Sequence, residues 1–417
     1  MNYADMSRSE LESLNSELDQ AYENFRNQKL SLDLTRGKPA TDQLDLSNDL
    51  DGILEGYYLL QDGTDVRNYG GIEGIPEART LGGIMLDCQP EHVLVGGNSS
   101  LNLMHTFVGH MQRTFWSEEE KVKFLCPVPG YDRHFTICEF FDIEMIPVTL
   151  GQDGPDMDQV EELVKTDPSI KGIWCVPKYS NPTGITYSNE IVKRLAKLAT
   201  IAGANFRVLW DNAYSVHHLK DEQSPLANIF TEAKAEGTES SVAMFASTSK
   251  VTFAGAGISF MALASDNLAK LVKEMSTSTI GFDKVNQLRH VRFLKDSDGI
   301  AAHMAKHRAL IEPKFDAVLD AFDEQLTGLG IAEWTNPKGG YFISVDTRPG
   351  LASEIVRLAG EIGVKLTPAG ATFPAGHDPE DVNIRVAPTY PGIEDLKTAV
   401  NVFVACIKLA SVRQLLK

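Results

Sequence analysis

Short apolar runs recur through the middle of this chain, each followed by a polar turn. Val93–Val95, Val122–Cys126, Ile173–Val176, Val208–Trp210, Val242–Ala246 and Ile258–Leu263 are β-branched or aromatic in character, which predicts buried strands. Amphipathic stretches lie between them. In Glu190–Ala202, for instance, Ile191, Leu195, Leu198 and Ala202 fall on one helical face. Strand–helix alternation from about residue 70 to 260 predicts an α/β unit with a mostly parallel sheet covered by helices on both sides. Ligands of such sheets sit beyond the carboxyl ends of the strands.

The two ends of the chain read differently. Residues 7–27 predict an amphipathic helix, with Ser7 and Glu10 as a capping box and Leu11, Leu14, Leu18, Tyr22 and Phe25 on one stripe. Leu32–Thr35 predicts a short strand, closed by the turn Arg36-Gly37-Lys38-Pro39. Residues 265–325 are largely helical in pattern. A Pro-Lys-Gly-Gly turn at 337–340 then leads to a strand at Tyr341–Val345, a helix at 351–361, a strand ending at Val386 and a helix from about 392 to 414. The expected division is an N-terminal helix and segment (1–50) packing with a smaller α/β domain (296–417), and a large domain (51–295).

Composition narrows the class. A chain of 417 residues exceeds the usual single core, and 43% hydrophobic with 23% charged residues is ordinary for a globular protein. The formal net charge of −18 argues against a nucleic-acid surface, which needs a basic footprint. Cys88, Cys126, Cys138, Cys175 and Cys406 share no CxxC spacing, so reduced thiols are expected and no metal site. No apolar stretch approaches ~18 residues, so no membrane span is expected. The start, MNYADMSRSELES, lacks the features of a signal peptide, and the cytoplasm is the expected location.

Three motifs follow three of the predicted strands: Asn181-Pro182-Thr183-Gly184, then Asp211 with Tyr214, then Ser247-x-Ser249-Lys250. Together they supply what pyridoxal phosphate chemistry needs. Lys250 can lose its charge in an apolar setting and hold an aldehyde. Asp211 can pair with a pyridine nitrogen and keep the ring an electron sink. Tyr214 and Asn181 can donate to the neighbouring ring oxygen. Read singly, Lys250 is also a solvated surface lysine and Asp211 a helix N-cap.

Gly96-Gly97-Asn98-Ser99-Ser100 follows a strand and opens a helix, which suits a phosphate, although an ordinary strand-to-helix turn looks the same. It lacks the lysine of a Walker loop. Tyr131 is placed to stack on a flat ring, and His134 to orient Asp211. Arg385 suits a carboxylate bidentately, or else lies on an exposed sheet edge.

With these residues assembled, the chain resembles the fold type I, class I aminotransferases, which use pyridoxal 5′-phosphate. The likeness runs from about Leu32 to the C-terminal helix. It implies Lys250 as Schiff-base lysine and proton shuttle, Asp211 on the ring nitrogen, Tyr214 and Asn181 on the ring oxygen, and Tyr131 stacked on the ring. It implies Asn98, Ser99, Ser100, Ser247 and Ser249 around the phosphate, and Arg385 on the substrate α-carboxylate. Gly37 matches a glycine in the segment that closes over substrate. Tyr69 matches a tyrosine that reaches the partner's phosphate, which implies a homodimer with shared active sites.

One departure stands out. Relatives carry Gly-x-Arg-x-Gly after the lysine, whereas Gly257 stands here at the arginine position. The wording TRGKP, VPKYSNPTG and IGFDKVNQLRHVRF is similar to a divergent bacterial subgroup associated with aspartate aminotransferase activity. Transamination of aspartate with 2-oxoglutarate is therefore expected, with Arg36 as the candidate for the distal carboxylate and Arg133 and Arg289 as others. Competing expectations are a lyase on the same fold, such as a carbon–sulfur β-lyase, and a non-catalytic ligand sensor. The acidic charge and the presence of Lys250 argue against the sensor.

Overall fold

The computed structural model describes residues 2–417. In chain order the strands are β1 (Leu32–Asp33), β2 (Val93–Gly96), β3 (Lys123–Val128), β4 (Glu144–Gly151), β5 (Gly154–Pro155), β6 (Ile170–Cys175) and β7 (Arg207–Asp211). They continue with β8 (Val242–Ser247), β9 (Ser259–Leu263), β10 (Ala332–Trp334), β11 (Ile343–Thr347), β12 (Val364–Lys365) and β13 (Asn383–Val386). An eight-stranded sheet has the order β2-β9-β8-β7-β6-β3-β4-β5. Its central block, β4-β3-β6-β7-β8, is parallel; β9 runs antiparallel to both β2 and β8, and β5 to β4.

Each predicted apolar run is a strand of this sheet. Side chains alternate between its faces, as the period of two requires. On β8, Val242, Met244 and Ala246 join one core cluster while Ala243 and Phe245 join the opposite one. On β7, Val208 and Trp210 face the first cluster and Leu209 the second. Strands β4 and β5 were not expected. Pro147 sits within β4, and only the two-residue β5 covers the strand's outer edge, where a missing N–H is tolerated.

The helix Asn189–Ala202 buries Val192, Leu195, Ala196 and Leu198. Its core stripe is thus rotated from the expected face, leaving Ile191 and Ala202 half-buried. The N-terminal helix is Arg8–Arg26 and carries the predicted capping box. Its apolar stripe packs on the cluster built from the helices Ser297–Leu326, Ala352–Ile362 and Ile393–Leu416. Strands β10-β11-β13 form a smaller antiparallel sheet, and β1 pairs with β12 in parallel.

The expectation that no apolar stretch reaches spanning length needs correction. Ile393–Leu416 is long and apolar enough by composition, with mean hydropathy 1.5 in its best window. That window is 61% buried against the helices named above, as in a core helix.

Candidate active site

The carboxyl ends of β2, β3, β6, β7 and β8 converge on a cavity of about 110 Å³. Ser99, Ser100, Tyr131, Asn181, Asp211, Tyr214, Ser247, Ser249 and Lys250 line it, with Leu101, Met104, Val176 and Ala213 as apolar walls. A larger cleft of about 570 Å³ lies around Cys88–His92 and Lys234. None of the motif residues lines it, and the smaller cavity carries the chemistry.

Asp211 closes β7 and is followed by a turn, so it caps no helix. Its carboxylate is 2% exposed. Oδ2 lies 2.9 Å from His134 Nε2, and the His134 ring stacks on Trp174 with centroids 4.1 Å apart. Oδ1 has no hydrogen-bond partner. A buried carboxylate oxygen without a donor is costly, and Asp211 lines the same cavity as Lys250.

Lys250 follows β8 and is half-buried, its side chain lining the cavity. Burial pushes its pKa down; the Asp211 carboxylate opposes that shift, and the Arg385 cation adds to it. Its Nζ lies 5.1 Å from the Tyr214 ring centroid and 5.9 Å from that of Tyr341. A lysine held in this way has access to its neutral, nucleophilic form. The reading of Lys250 as a solvated surface lysine is excluded.

Arg385, on β13, is buried rather than on an exposed edge. Its Nη1 donates to Asn181 Oδ1 at 3.2 Å and to Asp132 Oδ1 at 3.4 Å, and its guanidinium lies 4.8 Å from the Phe342 ring centroid. Its Nε has no acceptor. The site therefore presents an orphaned acceptor on Asp211 and an orphaned donor on Arg385. A protonated ring nitrogen fits the first and a carboxylate fits the second.

The hydroxyl groups expected around a phosphate form a chain: Ser247 Oγ donates to Ser249 Oγ (3.0 Å), which donates to the Asn98 carbonyl (2.7 Å). Ser99 caps the helix Ser100–Arg113. The Asn98 side chain turns away, to the Gly255 carbonyl at 3.4 Å. Gly257 has no room for a side chain. A Cβ there would stand 2.8 Å from Thr248 Oγ1 and 3.2 Å from the Phe253 carbonyl oxygen.

Other candidates lie apart from the cavity. Tyr69 is 86% exposed, on a loop held by Lys284 Nζ through the carbonyls of Asn68 (2.6 Å) and Gly70 (2.5 Å). Arg36 and Arg133 are exposed. Arg289 is occupied by the Leu50 carbonyl (3.0 Å) and Asp51 (2.5 Å), so it is not free for substrate. Gly37 packs on Phe342, where a Cβ would stand 2.4 Å from the ring.

Sequence reading missed Asp132, Phe342 and the apolar walls Val176 and Ala213. Asp132 and Ala213 adjoin recognised residues and were legible by proximity. Phe342 fell in the strand expected at Tyr341–Val345, whose facing could not be told from its local pattern, and lies just before β11.

Three comparisons bear on this geometry. The sequence profile of the family described as Aspartate amino-transferase matches residues 6–417. An aspartate aminotransferase of Corynebacterium glutamicum is 45% identical over 403 residues, covering 95% of this chain and 93% of that protein. A crystal structure of an aspartate transaminase from C. glutamicum superposes with TM-score 0.96 at 42% identity, covering 100% of this chain and 99% of that one. At 22% identity, an α-aminoadipate aminotransferase from Thermus thermophilus, complexed with N-(5′-phosphopyridoxyl)-L-leucine, shares the fold with TM-score 0.75 over 92% of this chain and 93% of its own.

Proposed function

This chain belongs to the aspartate amino-transferase family and is an aminotransferase of fold type I, and from that premise we propose that it transfers the amino group of aspartate to 2-oxoglutarate with pyridoxal 5′-phosphate. The observation that carries the reading is one cavity lined by Lys250, by Asp211, whose buried Oδ1 has no donor, and by Asn181, which accepts from Arg385, itself left with an orphaned Nε. When bound, the cofactor supplies an aldehyde for amino groups and a ring that withdraws electrons from the substrate Cα. In this reading Lys250 holds the aldehyde. Its neutral amine would take up and return the proton at the substrate Cα. Asp211, fixed by His134, keeps the ring nitrogen protonated. Asn181 and Tyr214 serve the ring oxygen, while Tyr131 and Ala213 flank the ring.

Arg385 receives the α-carboxylate, with Phe342 as a platform under the guanidinium and Asn181 fixing its fork. Ser99, Ser100, Ser247 and Ser249 surround the phosphate, with Asn98 contributing through its main chain. The exposed Tyr69 completes a partner's site in a homodimer. Arg36, free at the surface beside Gly37, serves the distal carboxylate. Residues 51–295 form the cofactor-binding part. Residues 296–417 form the smaller part, joined by 1–50, whose Tyr3, Leu11 and Tyr22 share its core. The expected site of action is the cytoplasm. A panel of amino donors assayed with 2-oxoglutarate tests the reading. Aspartate should give the highest kcat/KM, and preference for aromatic or branched donors would overturn the substrate assignment.

A further inference from the structure

The turn that carries Lys250 is gripped from outside the cavity. Lys250, Val251 and Thr252 each meet an imidazole, and the imidazoles come from three separate elements. The Lys250 carbonyl lies 3.3 Å from His217 Nε2 and accepts from Tyr341 Oη at 3.5 Å. The Val251 carbonyl receives two rings from the helix Ser297–Leu326, His303 Nε2 at 2.7 Å and His307 Nε2 at 2.9 Å. Thr252 Oγ1 lies 2.9 Å from His290 Nε2, whose Nδ1 faces the Asn286 carbonyl at 2.8 Å.

A carbonyl can only accept, so the His307 ring, whose Nδ1 meets a donor amide, carries its proton on Nε2, 2.9 Å from the Val251 carbonyl and 3.1 Å from His303 Nε2. That leaves His307 Nδ1 as an acceptor, and Gln43 Nε2 stands 3.3 Å from it. The same Gln43 amide donates to Tyr341 Oη at 2.9 Å, which closes the circuit back to Lys250. Gln43 is fully buried and follows the Gly37 segment by one turn. None of these imidazoles lines the cavity.

We propose that His303 and His307, with His217, Tyr341 and Gln43, are positioning residues that fix the Lys250 backbone and tie it to the N-terminal segment. This deepens the functional reading and rests on it. Two rings on one carbonyl define a direction as well as a distance, and the neighbouring Lys250 carbonyl is held by His217 and Tyr341. Loss of either grip lets the turn, and with it Nζ, drift. A misplacement of ~1 Å at a reacting group costs on the order of 10²-fold in rate.

The test compares His307→Leu, which removes the donor, with His307→Gln, whose side-chain amide can restore an N–H near Nε2. For each full-length protein, freed of cofactor, the pH midpoint for acetylation of Lys250 is read by mass spectrometry, alongside kcat, KM and the thermal midpoint. The expected result for the Leu variant is a Lys250 midpoint moved by ~0.5 pH unit or more and a kcat lowered by ~10²-fold with KM near wild type. The Gln variant should recover both. A Leu variant with wild-type midpoint and kcat would overturn the proposal. So would losses in both variants that simply track thermal stability. Should the Leu variant not fold, Tyr341→Phe removes only one hydroxyl from the circuit. It should shift the Lys250 midpoint by a smaller amount, and no shift would overturn the proposal. The Lys250 midpoint is defined whether or not the protein transaminates, so failure of the functional reading shows separately, as a wild type without turnover.

Discussion

At the scale of single residues, three positions separate a catalytic account from a packing account. Asp211 spends one oxygen on His134 and leaves the other without a donor. Asp211→Ala should therefore remove a buried oxygen that lacks a donor and leave the fold intact, while slowing Cα proton transfer. A loss of on the order of 10²-fold corresponds to about 2.7 kcal/mol of transition-state stabilisation. Single-turnover kinetics check this, and near-normal rates would contradict it. Gly37 has no room for a Cβ above Phe342. Gly37→Ala should displace the ring beneath Arg385 and raise KM for every carboxylate substrate, aspartate and alanine alike. Arg36→Ala should instead erase most of the preference for aspartate, which a charge-assisted hydrogen bond sets at roughly 1.5–3 kcal/mol. Steady-state assays with both donors distinguish the two outcomes.

Secondary-structure elements explain what was legible in the sequence. The strands carrying Asn181, Asp211 and Lys250 are buried on both faces, so their apolar runs stand out against polar turns. The motifs at their ends could be read in place. Strand β4 was hidden by Pro147, and β13 showed Arg385 without showing whether it faced core or solvent. Burial of that arginine depends on Phe342 and Asn181, which lie far away in sequence. Lys284 was hidden for the same reason, since it acts on carbonyls more than 200 residues earlier. It holds the loop that presents Tyr69. Lys284→Met should free that loop and weaken cofactor retention, as Tyr69→Phe should by removing the hydroxyl. Equilibrium dialysis of the cofactor checks both, and retention equal to wild type in the two variants would contradict the loop's role.

Across the whole molecule, buried histidines set the acid limit. Burial lowers His217 to about 3, and His290 and His307 to about 4, from an ordinary value of 6.5. A depressed folded value means that the unfolded chain binds these protons first. The advantage of the neutral folded form is complete above pH ~6.5 and is lost as pH falls toward about 4. Each such ring contributes a slope of up to ~1.4 kcal/mol per pH unit in that window. Denaturant midpoints between pH 7 and 4.5 should fall steeply, and His290→Gln should flatten the fall. An unchanged slope would contradict these assignments. Assembly is tested at the same scale: if Tyr69 completes a partner's site, dilution below the dimer dissociation constant should abolish activity together with cofactor retention.

The central claim is that Lys250 is the residue that holds the cofactor aldehyde. Borohydride reduction of the purified protein followed by peptide mapping addresses it most directly. The account predicts that reduction bleaches the visible absorbance and fixes the phosphopyridoxyl group on Lys250. The same group on another lysine, or on none, would contradict it.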